Sequence, residues 1–163
     1  MGKYDYLAYK LQPEQPIDVG GCAYPQAYYR GEASHPGTHY TVGFQYFTKS
    51  FVMEETHFHH HTEEYLIFLG SKMPDVFDFD AEITLLMGTD PDKLEKVVIT
   101  KPTVVRIPPN TWHCPITFDI RKPVFFQAAY ESGVWSKVTR GQKLKDGGMF
   151  KYDYDYSEKG RGL

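Results

Sequence analysis

Three things are scarce in this chain of 163 residues: cysteine, basic charge gathered in one place, and long apolar runs. The two cysteines, Cys22 and Cys114, are too few and too far apart in sequence for a disulfide framework, which suits a reducing compartment. The formal net charge is −3, and Lys and Arg are scattered. They form no stripe that could track phosphates, and neither a helix-turn-helix nor a zinc-finger spacing occurs, so nucleic acid is not an expected partner. No apolar run approaches the roughly 18 residues of a membrane span. The opening MGKYDYLAYK lacks an apolar signal core, and Tyr6 stands where a myristoylation signal needs Ser or Thr. The expectation is a soluble, cytoplasmic protein without membrane attachment. Helical periodicity is scarce too: only DPDKLEK, 90 to 96, suggests a helical turn.

Aromatic residues, by contrast, are abundant. Thirteen Tyr, 11 Phe and 2 Trp offer rigid, amphipathic walls for a pocket. Short segments rich in β-branched and aromatic residues recur at 39–48, 50–59, 65–70, 82–87, 95–100, 103–107, 114–120 and 124–130. Between them lie Gly and Pro punctuators such as Pro36-Gly37, Gly70 to Pro74 and Pro108-Pro109-Asn110, suited to turns because Gly supplies positive φ and Pro fixes it. About eight regularly spaced strands without intervening helices predict an all-β, single-domain antiparallel sandwich or barrel. The barrel is expected over 36–136, with an N-terminal arm or edge strands over 1–35 and a C-terminal tail over 137–163. KYDYL at 3–7 is echoed by KYDYDY at 151–156. Ends this rich in Tyr are more apolar than a solvated tail needs, and an added strand could cover a sheet edge, so a homodimer is expected.

The densest signal is ETHFHHHTEEYLIFLG, residues 55–70, which holds four of the seven histidines. Side chains alternate faces along a strand, so His57 and His59 project from one side while Phe58 faces the other. A turn at HHT then leads into EEYLIFLG, whose Glu63 or Glu64 can return a carboxylate to the same spot. A further ligand should come from another strand, and the later histidine is His113, in IPPNTWHCPI. Such a mixed N/O set suits Fe, Mn, Ni, Co, Cu or Zn and leaves positions open. His60 and His61 read as a solvated loop, His35 and His39 as surface or hydrogen-bonding residues. Alternation should turn Cys114 away from His113, making it a core thiol rather than a nucleophile. Glu55 shares the parity of His57 and His59, and reads first as an exposed carboxylate, second as an acceptor or base near the site. Tyr46, Phe68, Trp112 and Phe126 are expected to line a substrate pocket.

HFHHHTEEYLIFLG resembles the first motif of the cupins: His-x-His, three or four residues, Glu, about six residues, Gly. IPPNTWHCPITF is similar to the second, Pro-x-Gly-x-x-His, with Asn110 in place of Gly and Thr117 where Asn is common. Asn tolerates the left-handed backbone that Gly would supply. With the intervening segment the resemblance covers roughly 36 to 130, and the flanking sequences resemble small single-cupin proteins of undefined activity. It implies a double-stranded β-helix, or jelly roll, with His57, His59, His113 and one glutamate as metal ligands. Aligning YLIFL with the apolar residues that follow the cupin Glu selects Glu64, with Glu63 toward solvent. The competing reading extends the strand so that His57, His59 and His61 share a face.

Three functions fit a protein of this kind, since one fold hosts many. The metal could bind dioxygen together with a chelating aromatic or dicarbonyl substrate. It could act as a Lewis acid while Glu64 or Glu55 moves a proton, giving isomerisation, decarboxylation or hydrolysis. The third is a non-catalytic metal or small-molecule binder. An enzyme acting on a small molecule is favoured because no effector domain is evident, and Glu64 is the candidate catalytic residue.

Overall fold

Strands with one apolar face must bury it against another layer, and here they do so in two antiparallel sheets. The structure, a computed structural model, describes residues 2–15, 20–143 and 150–155. Residues 1 and 16–19 of the expected arm, and 144–149 and 156–163 of the expected tail, lie outside the described residues. In chain order the elements are β1 (Ala27–Arg30), α1 (Gly31–Ser34), β2 (Thr41–Phe47), β3 (Phe51–Met53), β4 (His57–Phe58), β5 (Glu64–Gly70) and β6 (Ala81–Gly88). They continue as β7 (Glu95–Ile99), β8 (Thr103–Ile107), β9 (Trp112–Ile120), β10 (Val124–Tyr130), β11 (Lys137–Lys143) and β12 (Phe150–Asp155). One sheet runs β1-β2-β10-β5-β8. The other runs β12-β11-β4-β9-β6-β7, with β3 also paired to β9. The sheets thus draw strands from both sides of the 36–136 span.

Two local expectations fail. The strand expected over 50–59 is two strands, because Glu54 between them has φ 61° and breaks the extended backbone. DPDKLEK forms no helix: Lys93 N–H bonds to Asp90 O at 3.0 Å in a turn, and Glu95 already pairs with Met87. Cross-strand pairing there overrides a weak helical pattern. Helix among the described residues is confined to a 3-10 turn, Asp5–Leu7, and to α1.

Alternation sets the core. Along β5, Glu64, Leu66 and Phe68 are buried while Tyr65, Ile67 and Leu69 are half-buried. On one half of the inner face Phe47, Phe68, Phe118 and Phe126 pack with ring centres 4.9 to 6.1 Å apart, and Phe51 stacks on Phe118 at 4.7 Å. Each such ring contributes about 1.5–3 kcal/mol by leaving water. The next row across the sheet pairs Gly43, Ala128 and Leu66, two of them small, which leaves space between these rings and the histidines.

Alternation fails in β9, next to the histidines. Ile116 faces Leu85 and His113 faces Met87, so Cys114 and Pro115 oppose the single residue Leu86. This is a β-bulge, with Cys114 at φ 69°. It corrects the expectation for Cys114, whose thiol turns inward beside His113 instead of away from it: Trp112, His113 and Cys114 are consecutive buried residues.

Candidate metal centre

The three buried histidines meet because β4 and β9 are neighbours, with His57 directly opposite His113. His59 follows β4. Its carbonyl accepts the N–H of Asn110 at 2.9 Å, and His60 Nδ1 lies 2.7 Å from Asn110 Oδ1. Asn110 has φ 61°, so the turn does use the left-handed backbone that Asn tolerates. One ring nitrogen of each imidazole is oriented by a backbone carbonyl. His57 Nδ1 lies 2.7 Å from Glu55 O, His59 Nδ1 2.5 Å from Ser136 O, and His113 Nδ1 2.9 Å from Thr111 O. A carbonyl only accepts, so each Nδ1 carries the proton and each neutral ring aims an Nε2 lone pair inward. The candidate ligand nitrogens of the three rings lie within 4.8 Å of one another.

Glu64, the first residue of β5, reaches this cluster from the opposite sheet. Its Oε2 lies 3.0 Å from His113 Nε2 and 3.5 Å from His59 Nε2. Neutral, Nδ1-protonated rings have no proton on Nε2 to give it. His59 Nε2, His113 Nε2 and Glu64 Oε2 are therefore buried and without hydrogen-bond partners. Buried polar atoms rarely stay unpaired, and three lone-pair donors converging on one point fit a divalent cation. Without an ion, the buried groups shift one another's titration instead. Burial, then the neighbouring His113 and His59, hold the His57 pKa well below the ordinary imidazole value. Burial alone would raise Glu64, but His113 and His59 hold it well below the carboxylate range. Burial also opposes protonation of His113, and the Glu64 carboxylate outweighs it, raising that pKa.

The donors open on a narrow cavity lined by Met53, Glu54, Leu66, Cys114, Ile116, Phe126, Ala128, Tyr130 and Trp135 as well as His57, Glu64 and His113. The centre of a water molecule has about 20 Å³ to move in, room for one or two waters. Of the four expected lining residues, Phe126 is on the wall. Tyr46 is not: it lies on the outer face of β2, 36% exposed, with its hydroxyl donating to Ser71 O at 3.1 Å. Trp112 packs against Phe58, 4.8 Å between ring centres, away from the cavity because alternation puts it on the face of β9 opposite His113. Phe68 is buried one layer deeper, among the phenylalanines.

Of the paired glutamates, Glu64 turns inward and Glu63 outward, where Arg106 grips its carboxylate. His61 sits exposed in the turn at φ 58°, apart from the cluster. Glu55 has its side chain 66% exposed and serves the site through its carbonyl. His39 is exposed, and His35 Nδ1 meets Tyr29 OH at 2.8 Å. Sequence reasoning missed Glu54, Tyr130 and Trp135. Tyr130 was within reach, since it lies directly across from Glu64 in the register. Glu54 was hidden by a backbone kink that no strand rule anticipates.

This arrangement of sheets is shared with solved proteins of known kind. Oxalate decarboxylase of Bacillus subtilis, in a structure concerned with its Mn(II) centres, matches with a TM-score of 0.55 at 12% identity over 77% of this chain. Oxalate oxidase bound to the substrate analogue glycolate matches with 0.54 at 16% identity over 79%. Both are cupin proteins. The chain has the cupin fold. It spans 30% of the decarboxylase chain and 61% of the oxidase chain. A third match, Peruvianin-I, a cysteine peptidase from Thevetia peruviana latex, has a TM-score of 0.56 at 13% identity, covering 82% of this chain and 76% of that one. No protein-family model matches the chain, and no curated protein does. Cupin fold and buried triad together support a metal-binding cupin. No described helix is long and apolar enough to cross a membrane.

Proposed function

We propose that this cupin is a metal-dependent enzyme acting on a small carbonyl compound that chelates through oxygen. The observation that carries the reading is the set of inward Nε2 and Oε2 atoms left without partners. His57, His59 and His113 would hold a divalent ion such as Fe, Mn, Co, Ni, Cu or Zn, and Glu64 would add the negative charge that neutral imidazoles lack. Such an ion supplies Lewis acidity toward a carbonyl oxygen and, where redox-active, a route to dioxygen. The cavity is narrow, which favours a compact dicarbonyl or hydroxycarbonyl over an aromatic substrate. Tyr130, across from Glu64, is pushed well above the ordinary phenol value by burial and by that carboxylate, so it keeps its proton as a donor.

Proton-handling groups around a small site favour the Lewis-acid class, isomerisation or decarboxylation, over oxygen chemistry. A thiolate nucleophile, as in a peptidase, is not supported: burial, then Glu64 and Glu54, push the Cys114 thiol well above its ordinary value. The test is metal analysis of protein purified from cells, followed by incubation with two- to four-carbon hydroxy- and oxo-carbonyl compounds while carbon dioxide release and oxygen uptake are followed. Stoichiometric metal and turnover without oxygen uptake are expected. Turnover coupled to oxygen consumption would replace the Lewis-acid class with the redox one, and metal-free protein would overturn the reading.

A further inference from the structure

The kink between β3 and β4 places Glu54 in left-handed backbone, a conformation that a non-glycine residue keeps only when its surroundings impose it. The result is a second carboxylate on the cavity wall, beside His57, His113 and Cys114. Glu54 Oε2 accepts a hydrogen bond from Lys137 Nζ at 2.8 Å. The Lys137 side chain is only 11% exposed, its ammonium lies 5.5 Å from the Trp135 ring centre, and it stands behind Glu54 rather than on the wall. Three consecutive residues thus serve the site in different ways. Trp135 walls the cavity, Ser136 O orients His59, and Lys137 holds Glu54.

A ligand entering this cavity meets two carboxylates in front, with the ammonium shielded by one of them. We infer that Glu54 is a specificity-determining residue. It admits a small oxygen chelator that brings a hydroxyl or N–H donor and at most one negative charge, and it rejects a dianion of the same size. The inference rests on the metal-binding reading of the same site and adds the substrate class: a neutral or monoanionic hydroxycarbonyl compound. Its physical basis is that a carboxylate rewards a donor with a charge-assisted hydrogen bond and opposes a second negative charge across a poorly screened gap.

Acetohydroxamate and oxalate are the probes, since both form five-membered oxygen chelates of similar size but differ in charge and in the donor. The protein is loaded with Co(II), whose absorption reports ligand exchange at the metal, and each probe is titrated into wild type, Glu54→Gln, Glu54→Gly and Glu82→Gln. Glu54→Gly suits the positive φ and guards against a folding defect in the first variant. Removing the Glu54 charge should tighten oxalate by at least about tenfold. Acetohydroxamate should hold or weaken, because it loses its acceptor. Glu82→Gln, at an exposed carboxylate of β6 that does not line the cavity, should move neither. An equal gain for both probes, or none for oxalate, in the two Glu54 variants would overturn the inference. Cobalt content after gel filtration separates this failure from that of the site itself: wild type that takes up no cobalt overturns both, whereas bound cobalt without charge discrimination overturns only the role of Glu54.

Discussion

The inner face of the sandwich has two ends built by the same alternation of side chains and put to opposite uses. At one end Phe47, Phe68, Phe118 and Phe126 bury apolar rings that need nothing but contact. At the other, His57, His59, His113 and Glu64 bury polar atoms, of which His59 Nε2, His113 Nε2 and Glu64 Oε2 lack partners. Each such atom costs about 1–3 kcal/mol. The aromatic end stabilises the fold and the histidine end draws on that stability, which a bound ion would restore because it binds only the folded state.

The comparison breaks first at Phe118, which contacts Phe47, Phe51, Phe68 and Phe126. Phe118→Ala should cost about 3–5 kcal/mol in urea unfolding. The molecules that remain folded should still take up metal. Loss of metal without loss of stability would mean that the two ends are not separable.

The reverse behaviour is expected at the histidine end. His57→Ala, His59→Ala and His113→Ala should each reduce metal content to a small fraction while changing metal-free stability far less than Phe118→Ala does. His60→Ala should leave metal content nearly unchanged. Glu64→Gln keeps the shape but removes the charge, so metal affinity should fall by at least the roughly 10- to 100-fold seen when groups behind a ligand are altered. Glu63→Gln, paired with Arg106 on the outside, should leave the affinity as it is. Competition titration against a chromophoric chelator measures all of these.

The two ends also differ in how far the sequence discloses them. Strand alternation is a rule of period two. It holds where the backbone is regular, since Glu64, Leu66 and Phe68 turn inward together, but YLIFL is apolar at every position and does not by itself tell Glu64 from Glu63; only the resemblance to the cupin motif made that choice. The same rule misled wherever φ turns positive. Glu54 breaks one strand and Cys114 bulges another, so both line the cavity, whereas Trp112 obeys the rule and faces away because its neighbour His113 faces in. Tyr46 failed for a simpler reason: the buried neighbours on β2 are Gln45 and Phe47, and a polar Gln at an inward position disguised the parity. Trp135 and Lys137 act through chain segments brought together from far apart, which no local pattern reveals.

A smaller effect is expected from pH, and it separates two histidines of the same cluster. His113 is raised by Glu64, so in the metal-free protein its contribution to stability is complete below the ordinary imidazole value of 6.5 and is lost as pH rises through its raised value. His57 is depressed and behaves oppositely: stability is lost as pH falls below 6.5, because the unfolded chain takes up a proton that the buried ring refuses. A proton on His113 occupies the lone pair the ion needs. Metal affinity should therefore climb as pH rises through the raised His113 value, and the thermal shift produced by metal should grow with it. In Glu64→Gln, without the carboxylate that raises His113, the climb should occur at lower pH. Titrations at a series of pH values on both proteins check this, and an unchanged midpoint would show that Glu64 does not control His113.

The smallest effect tests which side of β2 belongs to the site. Tyr46 projects from the outer face, its ring 5.4 Å from that of Phe125, and its hydroxyl donates to Ser71 O at the surface. Tyr46→Phe keeps the ring and deletes only that bond, which in water is worth at the low end of about 0.5–1.5 kcal/mol. The loss should be just measurable in urea unfolding. Metal content and the binding of small chelators should not change, since Phe126 rather than Tyr46 reaches the cavity. A clear change in chelator affinity in Tyr46→Phe would place the substrate partly on the outer face of the sheet, and the cavity at the histidine end would then be only the inner portion of a larger site.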